Sequence, residues 1–116
     1  MKTQPQDVMT LQDLLDRKEW GKALTVLDQQ VQREPDQRQW RLVRASVLIK
    51  SGRVNEGIEG LTSLTGLFPD FLDAWINLGQ THKALGNYRA ADAAYREAMK
   101  LQPEHPIATK GAAQCA

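Results

Sequence analysis

Three of the five prolines in this 116-residue chain are evenly spaced, because Pro35, Pro69 and Pro103 lie 34 residues apart. A fixed period of this length is typical of proteins built from stacked copies of one supersecondary unit. Such a unit cannot bury its apolar surface alone, and about three units in contact are needed for stability. The period predicts three repeats, over residues 4–37, 38–71 and 72–105.

Each repeat reads as two helices, because its apolar residues recur at the i, i+3, i+4, i+7 spacing of a one-sided helix. Glycine supplies the positive φ that ends the first helix at Gly52 and Gly86, and Lys18 occupies the same position in the first repeat. The prolines end the second helices. The predicted helices cover residues 5–16, 20–33, 38–50, 54–67, 72–84 and 88–101. Pro106 predicts the first turn of a seventh helix, which is either a cap or the start of a truncated fourth repeat over residues 106–116.

When the three repeats are aligned, residues of similar size fall at equivalent positions. The aligned small residues are Ala23, Gly57 and Ala91, and the aligned large apolar residues are Leu27, Leu61 and Tyr95. Helices approach to about 8–10 Å only where the side chains between them permit it. We therefore expect the small residues to lie where the two helices of a repeat cross.

The third repeat carries the most specific pattern. It contains Trp75-x-x-Leu78-Gly79-x-x-His82, followed by Ala91-x-x-x-Tyr95 and Pro103. This pattern resembles the tetratricopeptide repeat, with histidine and tyrosine where tyrosine and phenylalanine are usual. The resemblance implies an all-α, right-handed superhelix of three helix-turn-helix units and a C-terminal capping helix, forming a single domain over residues 1–116. The first two repeats depart from the pattern. At the positions of Trp75 and Leu78, the second repeat has Arg41 and Arg44 and the first has Asp7 and Thr10.

In proteins that resemble this one, the first helices line a concave groove that binds extended peptides or partner helices. We therefore predict a non-enzymatic protein-interaction module, an adaptor or scaffold. The predicted groove residues are Gln12, Leu42, Ser46, Ile49, Ile76, Asn77, Gln80 and Lys83. Their apolar members would give footholds, and their amides would satisfy the peptide backbone. The alternative, which the sequence leaves open, is that the column of Val8, Leu42 and Ile76 packs helix against helix.

Some adaptor domains of this family bind a terminal carboxylate with lysine, arginine and asparagine side chains. Val8 and Gln12 occupy places where that clamp has lysine and asparagine, so this ligand class is not predicted. The second repeat carries a basic cluster, namely Arg38, Arg41, Arg44, Lys50 and Arg53. We expect Arg41 and Arg44 to pair with acidic residues of the first helix, which are Asp7, Asp13 and Asp16. An acidic partner is the less favoured interpretation, and nucleic acid is disfavoured because no exposed aromatics interleave with these charges.

Catalytic and cofactor signals are lacking. Neither His82 nor His105 has a second histidine or a cysteine at metal-ligand spacing, and no glycine-rich phosphate loop occurs. Cys115 stands next to the end of the chain, where a positioned base is not expected. We predict no enzyme, no cofactor and no metal, and we interpret His82 as a packed, hydrogen-bonded core imidazole.

Charge and hydropathy restrict the remaining classes. The formal net charge is +1, so no overall field draws the chain to nucleic acid or anionic lipid. No stretch reaches the ~20 apolar residues of a membrane span, and the N-terminus lacks a secretory signal. A cytoplasmic location is predicted, with the periplasm or excision from a larger protein as alternatives. The alternative functions are self-association into a homo-oligomer and regulation within a longer protein.

Overall fold

The computed structural model describes residues 10–115, and in that range it shows seven α-helices and no strand. The helices are α1 (Leu11–Asp16), α2 (Trp20–Arg33), α3 (Arg38–Lys50), α4 (Val54–Leu67), α5 (Leu72–Ala84), α6 (Tyr88–Leu101) and α7 (Pro106–Cys115). The predicted all-α class is confirmed, and α2 to α6 have the bounds that the periodicity predicts. None of the helices between residues 10 and 115 is long and apolar enough to cross a membrane.

The first helix begins later than predicted. Thr10 has the extended backbone of an N-cap, with φ −77° and ψ 162°. Its hydroxyl accepts a hydrogen bond from the Asp13 amide (3.1 Å), and the Asp13 carboxylate accepts one from the Thr10 amide (3.2 Å). This capping box satisfies two amides that would otherwise lack partners at the helix start. Residue 10 therefore caps α1 and is not helical, contrary to the prediction of a helix over residues 5–16. Residues 5–9 lie outside the described range.

The three hinges between paired helices share one geometry. Their central residues have positive φ, at 58° for Lys18, 96° for Gly52 and 80° for Gly86. In each hinge the next amide bonds to a carbonyl five residues earlier: Glu19 to Leu14 (2.9 Å), Arg53 to Leu48 (2.9 Å) and Asn87 to His82 (2.8 Å). These are Schellman bonds, which satisfy carbonyls at the end of a helix. The 34-residue period is thus repeated in the backbone hydrogen bonds.

Replacing Lys18 with glycine is expected to stabilise the protein by about 0.5–1 kcal/mol. A side chain costs about 1–2 kcal/mol in the left-handed region, and the greater freedom of unfolded glycine offsets part of that gain. The free energy of unfolding in denaturant measures the change. Lys18→Ala is the control, because it removes the ammonium but keeps the Cβ. Equal stabilisation by both variants would show that backbone strain is not the cause.

Tryptophans join the proline turns to the helices that follow. The Trp40 indole donates to the Glu34 carboxylate (3.1 Å), and the Trp75 indole donates to the Pro69 carbonyl (2.8 Å). Both rings also pack on the apolar cores. Each ring is half-buried, with its polar edge bonded at the turn.

The chain divides into two compact units, Met1–Gly57 and Ile58–Ala116, of which residues 10–57 and 58–115 are described. The core of the first unit consists of Leu14, Ala23, Leu24, Leu27, Val47 and Leu48. Ala23 is fully buried, and a Cβ at Gly57 would meet the Ile49 side chain and lie 2.8 Å from the Ala45 carbonyl. Small residues thus permit close packing here, as expected. The single domain and the repeat boundaries remain predictions.

In the second unit, α7 packs on both α5 and α6. The buried residues that form this core are Ile76, Ala91, Tyr95, Ala98, Ala108 and Ala112. Four of them are alanines, so the helices lie close together around the single large side chain of Tyr95. The last helix therefore covers the apolar surface of the preceding pair.

Candidate functional site

The second unit contains an open cleft between α5, α6 and α7, with a volume of about 590 Å³. Its lining residues are Gln80, Lys83, Ala84, Tyr88, Tyr95, Pro106, Ile107, Lys110, Gly111 and Gln114. Ligand clefts in proteins typically measure about 300–1,000 Å³ and combine apolar walls with a few polar groups. This cleft has that size and composition.

Tyr95 of α6 contributes an aromatic wall of the cleft and packs against α5 and α7. An added Cβ would lie 2.7 Å from the ring at Gly79 and would also collide with it at Gly111. The two glycines therefore admit the ring, which is 1% exposed. Burial raises the pKa of the Tyr95 hydroxyl above its ordinary value. A tyrosine hydroxyl is protonated at neutral pH and can donate a hydrogen bond.

The mouth of the cleft is apolar and positively charged. Tyr88 and Ile107 are 54% and 44% exposed, which is high for such large apolar side chains. Lys83 of α5 donates to the side-chain oxygen of Gln114 of α7, so a hydrogen bond joins the two helices. Lys110 is the second ammonium group, and none of the described lining residues carries a carboxylate.

Two of the predicted groove residues, Gln80 and Lys83, lie together in this cleft. Asn77 is half-buried and does not line it, although its backbone carbonyl accepts a hydrogen bond from the Thr81 hydroxyl (2.7 Å). Ile76 is 6% exposed and belongs to the core. The prediction of Ile76 as an exposed foothold is wrong, because the side chain is used for packing.

The predicted groove residues of the first unit differ in exposure. Gln12 is exposed and its amide donates to the Asp16 carboxylate (2.9 Å). Ser46 and Ile49 are half-buried, and Leu42 is 5% exposed. Leu42, like Ile76, is therefore packed rather than available to a partner, which was the alternative interpretation of this column. Val8 lies outside the described residues.

Arg44 and Arg41 of the second repeat do not have the partners that the sequence predicts. Arg44 pairs with Asp28 of α2 (2.5 Å) rather than with Asp13 or Asp16, because α2 packs against α3. Asp7, the third predicted partner, lies outside the described range. Arg41 makes a long hydrogen bond to the Pro35 carbonyl (3.5 Å), and its buried Nε has no partner among residues 10–115.

Arg53 belongs to an exposed ion pair. It binds Glu56 through two hydrogen bonds of 2.8 Å. The hydrogen bond from Arg53 lowers the pKa of the Glu56 carboxyl and raises the pKa of the guanidinium. This cation is therefore partly neutralised, which weakens the interpretation of the basic cluster as a site for an acidic partner.

His82 is only half-buried, and its buried Nδ1 has no hydrogen-bond partner in the described part of the chain. The predicted hydrogen bond to this imidazole is thus not found at Nδ1. Within residues 10–115 no three histidine, cysteine, aspartate or glutamate residues are grouped so that they could hold a metal ion.

The predicted groove residues do not include the α7 side of the cleft. Lys110, Gly111 and Gln114 lie one period of 34 residues after Ile76, Asn77 and Gln80. Continuing the groove columns by one further period would have found all three. The prediction leaves them out because it interprets residues 106–116 as a cap or a truncated fourth repeat and assigns no groove residue to that segment.

Comparisons with known proteins support the repeat assignment. Residues 72–105 match the family model described as tetratricopeptide repeat. A search of curated protein sequences finds no match to this chain. Among solved structures, the tetratricopeptide repeat domain of Arabidopsis OM64 has a TM-score of 0.77 at 17% identity, over 90% of this chain and 87% of that one.

Two further structures have similar scores. The Sgt2 tetratricopeptide repeat domain from Aspergillus fumigatus has a TM-score of 0.78 at 21% identity, over 90% of this chain and 71% of that one. The second tetratricopeptide repeat domain of human RPAP3, solved with the HSP70 peptide SGPTIEEVD, has a TM-score of 0.76 at 14% identity, over 90% and 88%. At these identities the likeness shows the fold. Residues 72–105 thus match the tetratricopeptide repeat family model, and the chain has the fold of a tetratricopeptide repeat domain.

Proposed function

We propose that this protein is an interaction module, an adaptor or scaffold, that binds a peptide segment of another protein in the cleft between α5 and α7. The observation that carries the proposal is the open, mixed apolar and polar cleft of about 590 Å³. The human RPAP3 domain, which has the same fold, was solved with a bound peptide. That complex supports a peptide as the class of ligand.

The cleft offers the two kinds of contact that a peptide needs. Tyr88 and Ile107 expose apolar surface, whose burial yields about 25 cal/mol per Å². The side chains of Gln80 and Gln114 both donate and accept hydrogen bonds, so they can satisfy the amides and carbonyls of an incoming backbone. A peptide buried here would therefore not leave its backbone groups unpaired.

The test begins with selection from a random displayed-peptide library against the full chain. Binding of the selected peptides is then measured by calorimetry with the Tyr88→Ala/Ile107→Ala variant. We expect a Kd about tenfold higher or more, since losing part of two apolar contacts costs at least about 1.4 kcal/mol. Helicity should remain, because both side chains are largely exposed.

A matched control lies elsewhere in the same unit. Leu67 and Leu101 are 58% and 42% exposed, close to the values of Tyr88 and Ile107, but they do not line the cleft. The Leu67→Ala/Leu101→Ala variant should bind the peptides like the wild type. Equal weakening by both variants, or a library from which no peptide is enriched, would contradict the proposal.

A further inference from the structure

We propose that the cleft prefers peptide segments with an aspartate or glutamate side chain, whose carboxylate is bound by Lys83 and Lys110. An adjacent apolar side chain would pack on Tyr88 and Ile107. This inference rests on the proposed function and specifies the ligand that the site would take. Its evidence is the distribution of charge in the second unit.

The cleft contains two positive charges. Among the described residues that line it, Lys83 and Lys110 are accompanied by neutral residues only. Among residues 10–115 neither ammonium takes part in a salt bridge. On the outer surface of α6, by contrast, Arg96 pairs with Asp92 (2.8 Å) and Lys100 pairs with Glu97 (2.7 Å).

This difference favours an anionic ligand. Like charges in a concave site with low-dielectric walls produce a field that attracts ions of opposite sign. A ligand carboxylate would relieve the repulsion between the two ammonium groups and would complement the potential of the cleft. A basic ligand would add a third positive charge and would be repelled.

Lys83 is held in place without being saturated. Its bond to the Gln114 side chain uses one of the three donors of the ammonium group, so two remain for a ligand. Because Gln114 also lines the cleft, this bond keeps the charge at the binding surface. Restricting the lysine before binding reduces the entropy that it loses when a carboxylate arrives.

The carboxylate is expected to come from a side chain within the peptide. The cleft is open rather than enclosed, so a peptide chain can continue beyond the site. A chain terminus would gain from a closed end that surrounds it, and the lining forms no such enclosure.

The first experiment compares two charge-removing variants of the full chain, using peptides selected on the wild type. The Lys83→Met/Lys110→Met variant keeps much of the side-chain volume but removes both cleft charges. The Arg96→Met/Lys100→Met variant removes two charges from the surface of α6. We expect acidic residues to be enriched in the peptides and the first variant to bind about tenfold more weakly per lysine. Its binding should also become less sensitive to salt. The α6 variant should bind like the wild type.

The second experiment reverses the cleft charge. Selection on the Lys83→Glu/Lys110→Glu variant should enrich basic peptides, because the sign of the field is inverted while the apolar contacts remain. A purely structural role of the lysines would not exchange one ligand class for another. C-terminally amidated copies of the wild-type peptides should bind unchanged, and a strong loss on amidation would overturn the assignment to a side-chain carboxylate.

The outcomes separate this inference from the proposed function. In one outcome, the selected peptides lose affinity for the Tyr88→Ala/Ile107→Ala variant, but they are not enriched in acidic residues and the lysine variants bind them like the wild type. This result would support the cleft as a peptide site and overturn the charge preference. Failure to select any peptide that depends on the cleft would overturn both.

Discussion

Replacing Gly79 with leucine should destabilise the protein by about 1–2 kcal/mol. A Cβ alone would lie 2.7 Å from the Tyr95 ring, well inside van der Waals contact, and the rest of the side chain would need more space. The ring cannot easily move away, because it also lies against Gly111. Overpacking of this kind typically costs about 1–3 kcal/mol, which exceeds the gain of somewhat under 1 kcal/mol in helix propensity. Denaturant unfolding measures the loss.

Two further variants establish the cause. Gly66 of α4 has no atom within 4 Å of an added Cβ, so Gly66→Leu should be neutral or slightly stabilising. Tyr95→Ala alone should cost about 3–5 kcal/mol through the cavity that it leaves. Combined with Gly79→Leu it should cost less than the sum, because leucine fills space that the ring vacated. Strict additivity would show that the ring and the glycine do not oppose each other.

Replacing Leu27 with alanine should lower the free energy of unfolding by about 2–5 kcal/mol. Leu27 is fully buried in the first unit, where it packs among Leu14, Leu24 and Leu48. Alanine leaves a cavity that the helices can close only in part, so both transfer free energy and packing contacts are lost. Thermal or denaturant unfolding monitored by helicity gives the value.

The same substitution at an exposed site provides the comparison. Leu67 is 58% exposed, so Leu67→Ala should change stability by no more than about 0.5 kcal/mol. If Leu27→Ala were equally mild, the cluster around Leu27 would not be a core. Such a result would contradict the assignment of the first unit as a stacked helical repeat.

The bounds of α2 to α6 were predictable to the residue because each boundary has a local cause. Proline prevents continuation at one end of a repeat, and a residue of positive φ allows the Schellman bonds at the other. The predicted start of α1 is wrong because apolar spacing does not locate the first residue of a helix. The pair Thr10 and Asp13 carried that signal, at the spacing of a capping box.

The site was less predictable than the fold. Alignment of the repeats selects positions on the same side of successive first helices, but it does not say which of them the neighbouring helices cover. Leu42 and Ile76 are apolar and therefore pack, whereas Gln80 and Lys83 are polar and remain at the cleft. Ion-pair partners could not be predicted either, because acidic residues on more than one helix were candidates for Arg44.

Gly111 determines how an array built from this chain could grow. Duplicating residues 72–105 directly after Glu104-His105 would bring a copy of Asn77 to the position that Gly111 now occupies, 34 residues later. The asparagine would carry its Cβ into the space beside the Tyr95 ring, where no added atom fits. A longer tandem array would therefore require glycine at that register of every new copy, or a smaller residue in place of the tyrosine.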